Sequence, residues 1–145
     1  MRRNILALVL ATVVLMVGTG AQAQFAGKWA LELGEWQATD GREIRMPGGN
    51  SGVLEVSVAG DSASGTFTTE GGPAPLVVRG KVEGGKLRVS GQRQARRNIN
   101  GAESTVEITI SFELTRTGDE LGGEMQLATK DEPPLSRSVT GKPAV

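Results

Sequence analysis

Arg93, Arg96 and Arg97 form the densest group of side chains able to do chemistry in this chain, which has no His and no Cys among its 145 residues. A guanidinium fork binds a carboxylate or phosphate through two parallel hydrogen bonds, so the first chemistry to weigh is an anion clamp. Three Arg in five positions can also serve a nucleic-acid patch, but no aromatics interleave with them, and this reading is set aside. Catalysis has little to work with. Without His or Cys there is no ordinary base for a Ser nucleophile, no thiolate and no usual transition-metal ligand set. Paired carboxylates can do acid–base work, yet Glu32, Glu55, Glu107, Glu113 and Glu124 all fall on outward strand positions in the register derived below. No Gly-rich stretch follows a strand and opens a helix, so phosphate-loop readings fail. The chain reads as non-enzymatic, with no catalytic residue, metal or cofactor.

The elements that must position these residues are set by four tight turns. Gly60-Asp61, Gly84-Gly85, Asn100-Gly101 and Gly118-Asp119 each separate two alternating apolar and polar runs. Two-residue turns need positive φ, which Gly and Asn supply, and they fix the register of the hairpins they close. Around Asn100-Gly101 the pairs are Ala95–Val106, Arg93–Ile108, Gly91–Ile110, Val89–Phe112 and Leu87–Leu114. Gly84-Gly85 sets Val82 against Leu87, Gly118-Asp119 sets Phe112 against Met125, and Gly60-Asp61 sets Leu54 against Phe67. In every hairpin the apolar residues share one face, and a slip of one residue would turn them outward.

Eight strands are expected: Phe25–Leu33, Gly52–Ala59, Ser62–Thr69, Leu76–Glu83, Lys86–Ile99, Ala102–Thr117, Glu120–Thr129 and Leu135–Thr140. No window has a helical period, and 21 glycines argue against helices as well. Short connections join antiparallel neighbours, because a parallel crossover needs a dozen or more residues. Closing such a meander removes its open edges, so the expected fold is all-β, an eight-stranded antiparallel up-and-down barrel. Gly65, Gly80, Gly91, Ala95 and Gly123 on the inner face are read as leaving room for a guest.

The N-terminus stands outside that domain. Arg2 and Arg3 precede an apolar run from Ile5 to Val17 and the triplet Ala21-Gln22-Ala23. This is the layout of a secretory signal peptide over residues 1–23, its apolar run too short for a spanning helix. The barrel is then a single domain over 24–145, with no transmembrane segment after cleavage. Formal charges balance at 16 basic and 16 acidic side chains, and loss of Arg2 and Arg3 leaves the rest at −2. Interspersed charges of that balance give no sign of nucleic acid or an anionic membrane as partner. Export without Cys points to a bacterial periplasm or exterior.

The first strand carries a family likeness. Phe25-Ala26-Gly27-Lys28-Trp29 resembles the Gly-x-Trp signature at the first strand of lipocalins and the wider calycin group, with Gly27 and Trp29 as the matching residues. The resemblance implies an up-and-down barrel that carries small hydrophobic ligands, and an Arg late in the barrel packed across the Trp. Arg137 is the residue that resemblance points to, on the inward set of the last strand with Leu135 and Val139; a guanidinium over an indole face is a favourable contact. There is no Thr-Asp-Tyr motif, disulfide or C-terminal helix, so the likeness is to a short bacterial barrel outside the transport lipocalins.

Two features could hold a ligand. Arg93 and Arg97 fall on the inner face toward Asn100-Gly101, where they either clamp the head of an anionic amphiphile or sit solvated on a hairpin that overhangs the rim. The loop 34–51 carries Trp36, Ile44 and Met46 around Asp40-Gly41, and either folds over the mouth as a lid or plugs it with Trp36. The expected ligand site comprises Arg93, Arg97, Trp36, Phe67, Ile110, Phe112 and Met125, and its expected occupant is a small hydrophobic or anionic amphipathic molecule. The alternative is a solid barrel acting through its outer surface as an envelope-associated interaction or structural module, its protein partner unspecified.

Overall fold

The computed structural model describes residues 24–38, 49–70, 74–130 and 132–144, with Arg97, Asn98 and Ile99 described as backbone alone. The expected signal peptide and the residues Asp40, Gly41, Ile44 and Met46 lie outside the described residues. Among those described, all regular structure is strand: β1 (Gly27–Leu33), β2 (Gln37–Ala38), β3 (Ser51–Ala59), β4 (Ser62–Thr69), β5 (Leu76–Glu83), β6 (Lys86–Ile99), β7 (Ala102–Thr117), β8 (Glu120–Thr129) and β9 (Leu135–Pro143). Each long strand pairs antiparallel with its neighbour in sequence, and β1 also pairs with β9, which closes an eight-stranded up-and-down barrel. The two-residue β2 extends the sheet along the start of β9.

The turns behave as their residues require. Gly84 and Gly85 both have positive φ, 60° and 76°, as do Asn100 and Gly101, 54° and 82°; two positive values mark the I′ hairpin turn. Gly60 and Gly118 carry a single positive φ at the first turn position, 63° and 65°, where the II′ turn takes Gly. The paired residues are those the turns dictate, among them Leu54 with Phe67, Val82 with Leu87, Val89 with Phe112 and Phe112 with Met125. One boundary differs. β1 starts at Gly27 rather than Phe25, because Gly27 takes φ 127° and sends the chain under the barrel, where Phe25 is fully buried.

The antiparallel order gives the barrel two unlike ends. Three tight turns (Gly60-Asp61, Gly84-Gly85 and Gly118-Asp119) close one end, and the longer connections and the Asn100-Gly101 turn lie at the other. The closed half is filled by Leu31, Leu54, Leu87, Leu114, Leu121 and Val139, all at most 2% exposed. At the open end β6 and β7 continue beyond Arg93 and Ile108, where β5 and β8 have stopped, and pair only with each other among the described residues. At roughly 3.3 Å per residue this two-stranded ribbon reaches about 20 Å past the rim.

The inner-face glycines have a different role from the one expected. A Cβ built on Gly65, Gly80 or Gly123 would lie 1.8, 1.8 or 2.0 Å from a carbonyl oxygen of the neighbouring strand, and one on Gly91 2.2 Å from that of Val77. These glycines mark places where two backbones approach closely as the sheet bends into a barrel. They make no room for a guest.

The outer face carries the strand acids, and Glu32, Glu55, Glu107, Glu113 and Glu124 are all exposed. Glu113 accepts a hydrogen bond from Lys86 Nζ at 3.1 Å, with Arg88 Nε 3.6 Å away. The Lys86 hydrogen bond and the charges of Lys86 and Arg88 hold its carboxyl below the usual value. A depressed carboxylate pKa contributes stability that is present above the unfolded value and lost as pH falls through the folded one. Glu113→Gln is therefore expected to lower the melting temperature slightly near pH 7 and to match the parent near pH 3. A deficit that widens on acidification would count against this pairing.

Candidate functional site

The open end forms a cup of about 320 Å³ lined by residues of β4, β6, β7, β8 and β9 and of the connections beside them. Its walls are Phe67, Ala95, Ile108, Ile110, Met125 and Leu127, with Trp36 at the mouth and Arg93 and Arg137 as its two cations. The apolar walls follow from strand parity, since successive inward residues of β7 and β8 are Ile108, Ile110 and Phe112, and Met125 and Leu127. The larger hollows, of about 580 and 780 Å³, lie in furrows of the outer surface among Arg79, Lys86, Arg88 and Glu113, and among Glu32, Glu70, Thr140 and Lys142. Both linings carry exposed charges of either sign on the outside of the barrel, whereas the cup is set into its end among inward-facing residues.

Of the residues expected in a ligand site, the cup gathers Arg93, Trp36, Phe67, Ile110 and Met125. Phe112 is not among its walls. It lies one inward step below Ile110, almost wholly buried and edge-to-face with Phe67 (ring centroids 4.8 Å apart, planes at 65°), so it supports the floor. The Arg97 side chain lies outside the described residues; its backbone belongs to the overhanging ribbon, opposite Ser104. The hairpin does overhang, yet Arg93 stays at the rim, half-buried, and donates from Nη2 to the Ala74 carbonyl at 2.9 Å. Arg96, further out, is exposed and faces Glu103 at 3.5 Å.

Arg137 is not where the first-strand likeness implies. In the β1–β9 register Leu33 pairs with Val139 and Trp29 with Pro143, so Trp29 is at the closed end and Arg137 at the open one. The Arg137 guanidinium stacks on Trp36, 4.7 Å from the ring centroid, and its Nε donates to the Gly34 carbonyl at 2.7 Å. The place over Trp29 is taken by Arg116, with Cζ 5.3 Å from that ring. Arg116 shares the inward parity of Ile110, Phe112 and Leu114, which is the signal in the sequence that identifies it.

Gly34 fits this corner closely. Its N–H donates to Ser138 at 2.8 Å, and a Cβ there would sit 2.3 Å from the Ser138 hydroxyl. The chain can then fold back after β1 and lay Trp36 across the start of β9. Trp36 is partly buried against the core and lines the cup. Ile108, Leu127 and Arg137 are cup residues that the sequence reading did not include. The first two follow from the parity of Ile110 and Met125, and the third depends on how the barrel closes.

Compared with known proteins, the chain matches no family model, no curated protein and no solved structure. The class is set by the fold alone: an eight-stranded, all-antiparallel closed barrel, compatible with the calycin type, with one filled end and one cupped end.

Proposed function

We propose that this protein is an exported, non-enzymatic, lipocalin-like barrel that holds one small hydrophobic or amphipathic molecule in its cup. The observation that carries the reading is the apolar cavity of about 320 Å³ at one end of an otherwise filled barrel, a size within the range of small-ligand sites. The outward strand carboxylates favour a binding over a catalytic role. A Trp in the first strand beneath an Arg guanidinium, here Trp29 and Arg116, supports the lipocalin-like assignment. Export to a periplasm or beyond rests on Arg2, Arg3, the run Ile5–Val17 and the Ala21-Gln22-Ala23 triplet. The second reading, a barrel acting through its surface in the envelope, draws on the β6–β7 ribbon, whose unpaired edges could accept a partner strand.

Trp36 reports on the cup, so its fluorescence should shift when an apolar probe such as 1-octanol is titrated in. Native mass spectrometry of the protein recovered from the export compartment should show an adduct of a few hundred daltons or less. No fluorescence response, together with a bare mass, would sink the ligand-carrier reading in favour of the surface one.

A further inference from the structure

Arg137 is the sole charged residue in the buried set of the described chain, with 7% of its surface exposed. Among the described residues every ion pair involves Lys86, Arg88, Arg96 or Lys142, and none reaches Arg137 or Arg93. Nε of Arg137 is used by the Gly34 carbonyl. The paired Nη groups have no partner among the described residues, and Arg137 is one of the residues that line the cup. A buried guanidinium with no counter-charge among the described residues is costly, and burial pushes its pKa below the usual value. Arg nevertheless stays charged at any ordinary pH. The indole of Trp36 on one face and the carbonyl of Gly34 on the edge hold the fork in one orientation.

Resting on the reading of the cup as a ligand site, we propose that it selects a monocarboxylate with a short apolar body, whose head is anchored end-on by the Nη pair of Arg137. A carboxylate is the planar two-oxygen group that such a fork matches. Arg93 at the rim, with one Nη already given to Ala74, adds a weaker second attraction. A phosphate dianion would need more donors than this corner offers. The body is short because about 320 Å³, at roughly 30 Å³ per water-sized group, holds about ten non-hydrogen atoms. Phe67, Ile108, Ile110, Met125 and Leu127 supply the apolar wall for it.

Calorimetric titration of the purified protein with octanoate, 1-octanol and octyl phosphate tests the assignment, since the three share one chain and differ in the head. Octanoate is expected to bind about ten- to a hundredfold more tightly than 1-octanol, the value of a hydrogen-bonded charge. Arg137→Met is expected to remove that preference, so that the variant binds octanoate no more tightly than 1-octanol, and Arg93→Met to reduce it by about threefold. Hexadecanoate should bind no more tightly than octanoate if the cup ends where its walls do. Should Arg137→Met fail to fold, the comparison of octanoate with 1-octanol on the parent protein decides alone. Equal affinity for the two overturns the anion anchor and leaves the ligand reading standing. Tighter binding of octyl phosphate overturns the choice of carboxylate. No binding of any of the three overturns both readings.

Discussion

Alanine at the adjacent glycines of β8 is expected to move stability in opposite directions. At Gly123 a Cβ would lie 2.0 Å from the Glu113 carbonyl oxygen and 3.0 Å from the Leu114 Cα. Both are backbone atoms of the paired strand, so no side chain can swing aside, and β7 and β8 must separate locally. Overpacking of this kind costs about 2–3 kcal/mol. At Gly122, one residue earlier, nothing lies within 4 Å of the built Cβ, and φ is outside the left-handed range. There Ala restricts the unfolded chain without native strain and contributes about 0.4–1 kcal/mol. For a domain of this size the gap between Gly122→Ala and Gly123→Ala corresponds to about 10 °C in melting temperature. Thermal melts of the two single variants, equal within error, would refute the close-approach account of the inner glycines.

That pair also shows what a sequence can and cannot specify in a closed barrel. Hairpin registers are local. Asn100 and Gly101 take the positive φ values that their types favour, and Leu87, Val89, Gly91 and Arg93 then meet Leu114, Phe112, Ile110 and Ile108 as the alternation demands. Inner and outer faces follow, which is why Phe67, Ile110 and Met125 were legible as interior and Glu55 and Glu113 as exterior. The distance between the backbones at Gly123 is another matter. It depends on how strongly the sheet coils at that point, a property of all eight strands together. A small inward residue looks the same in sequence whether it makes room for a guest or lets two strands touch.

The candidate site divides along the same line. Arg93 could be placed at the open end because a tight turn counts it back from Asn100. Parity alone puts Phe112 in the expected ligand site. Parity does not say how deep a residue lies, and Phe112 falls one layer too low, against Phe67. Arg137 depends on a pairing that no tight turn fixes and that joins the two ends of the chain, that of β1 with β9. Closure there sets Leu33 against Val139, which carries Arg137 past the end of β1 and onto Trp36. Arg137, which the first-strand likeness makes structural, lines the cup, and Arg116 holds the position over Trp29.

The closed end therefore supplies the second large effect. Trp29 is almost fully buried, and its Nε1 donates to the Phe25 carbonyl at 2.9 Å. Arg116 lies over that indole, donates from Nε to the Gly118 carbonyl at 2.8 Å and from Nη1 to the Gln24 carbonyl, so one side chain ties the N-terminal segment to the β7–β8 turn. Trp29→Ala empties this end and is expected to lower stability by about 3–5 kcal/mol. Trp29→Phe keeps most of the apolar contact but leaves a buried carbonyl without its donor, for a loss of about 1–3 kcal/mol. Arg116→Met, which removes two charged hydrogen bonds and the contact with the indole, should cost about 2 kcal/mol. Arg137→Met is the contrast. It keeps apolar bulk against Trp36 while deleting a buried charge with no carboxylate beside it among the described residues, a change that is often neutral or stabilising. Urea denaturation of the four variants should thus rank Trp29→Ala lowest, with Arg116→Met below the parent and Arg137→Met at or above it. If Arg137→Met proves less stable than Arg116→Met, Arg137 is a structural residue after all, and the cup loses the argument that its cation is held there for an anion.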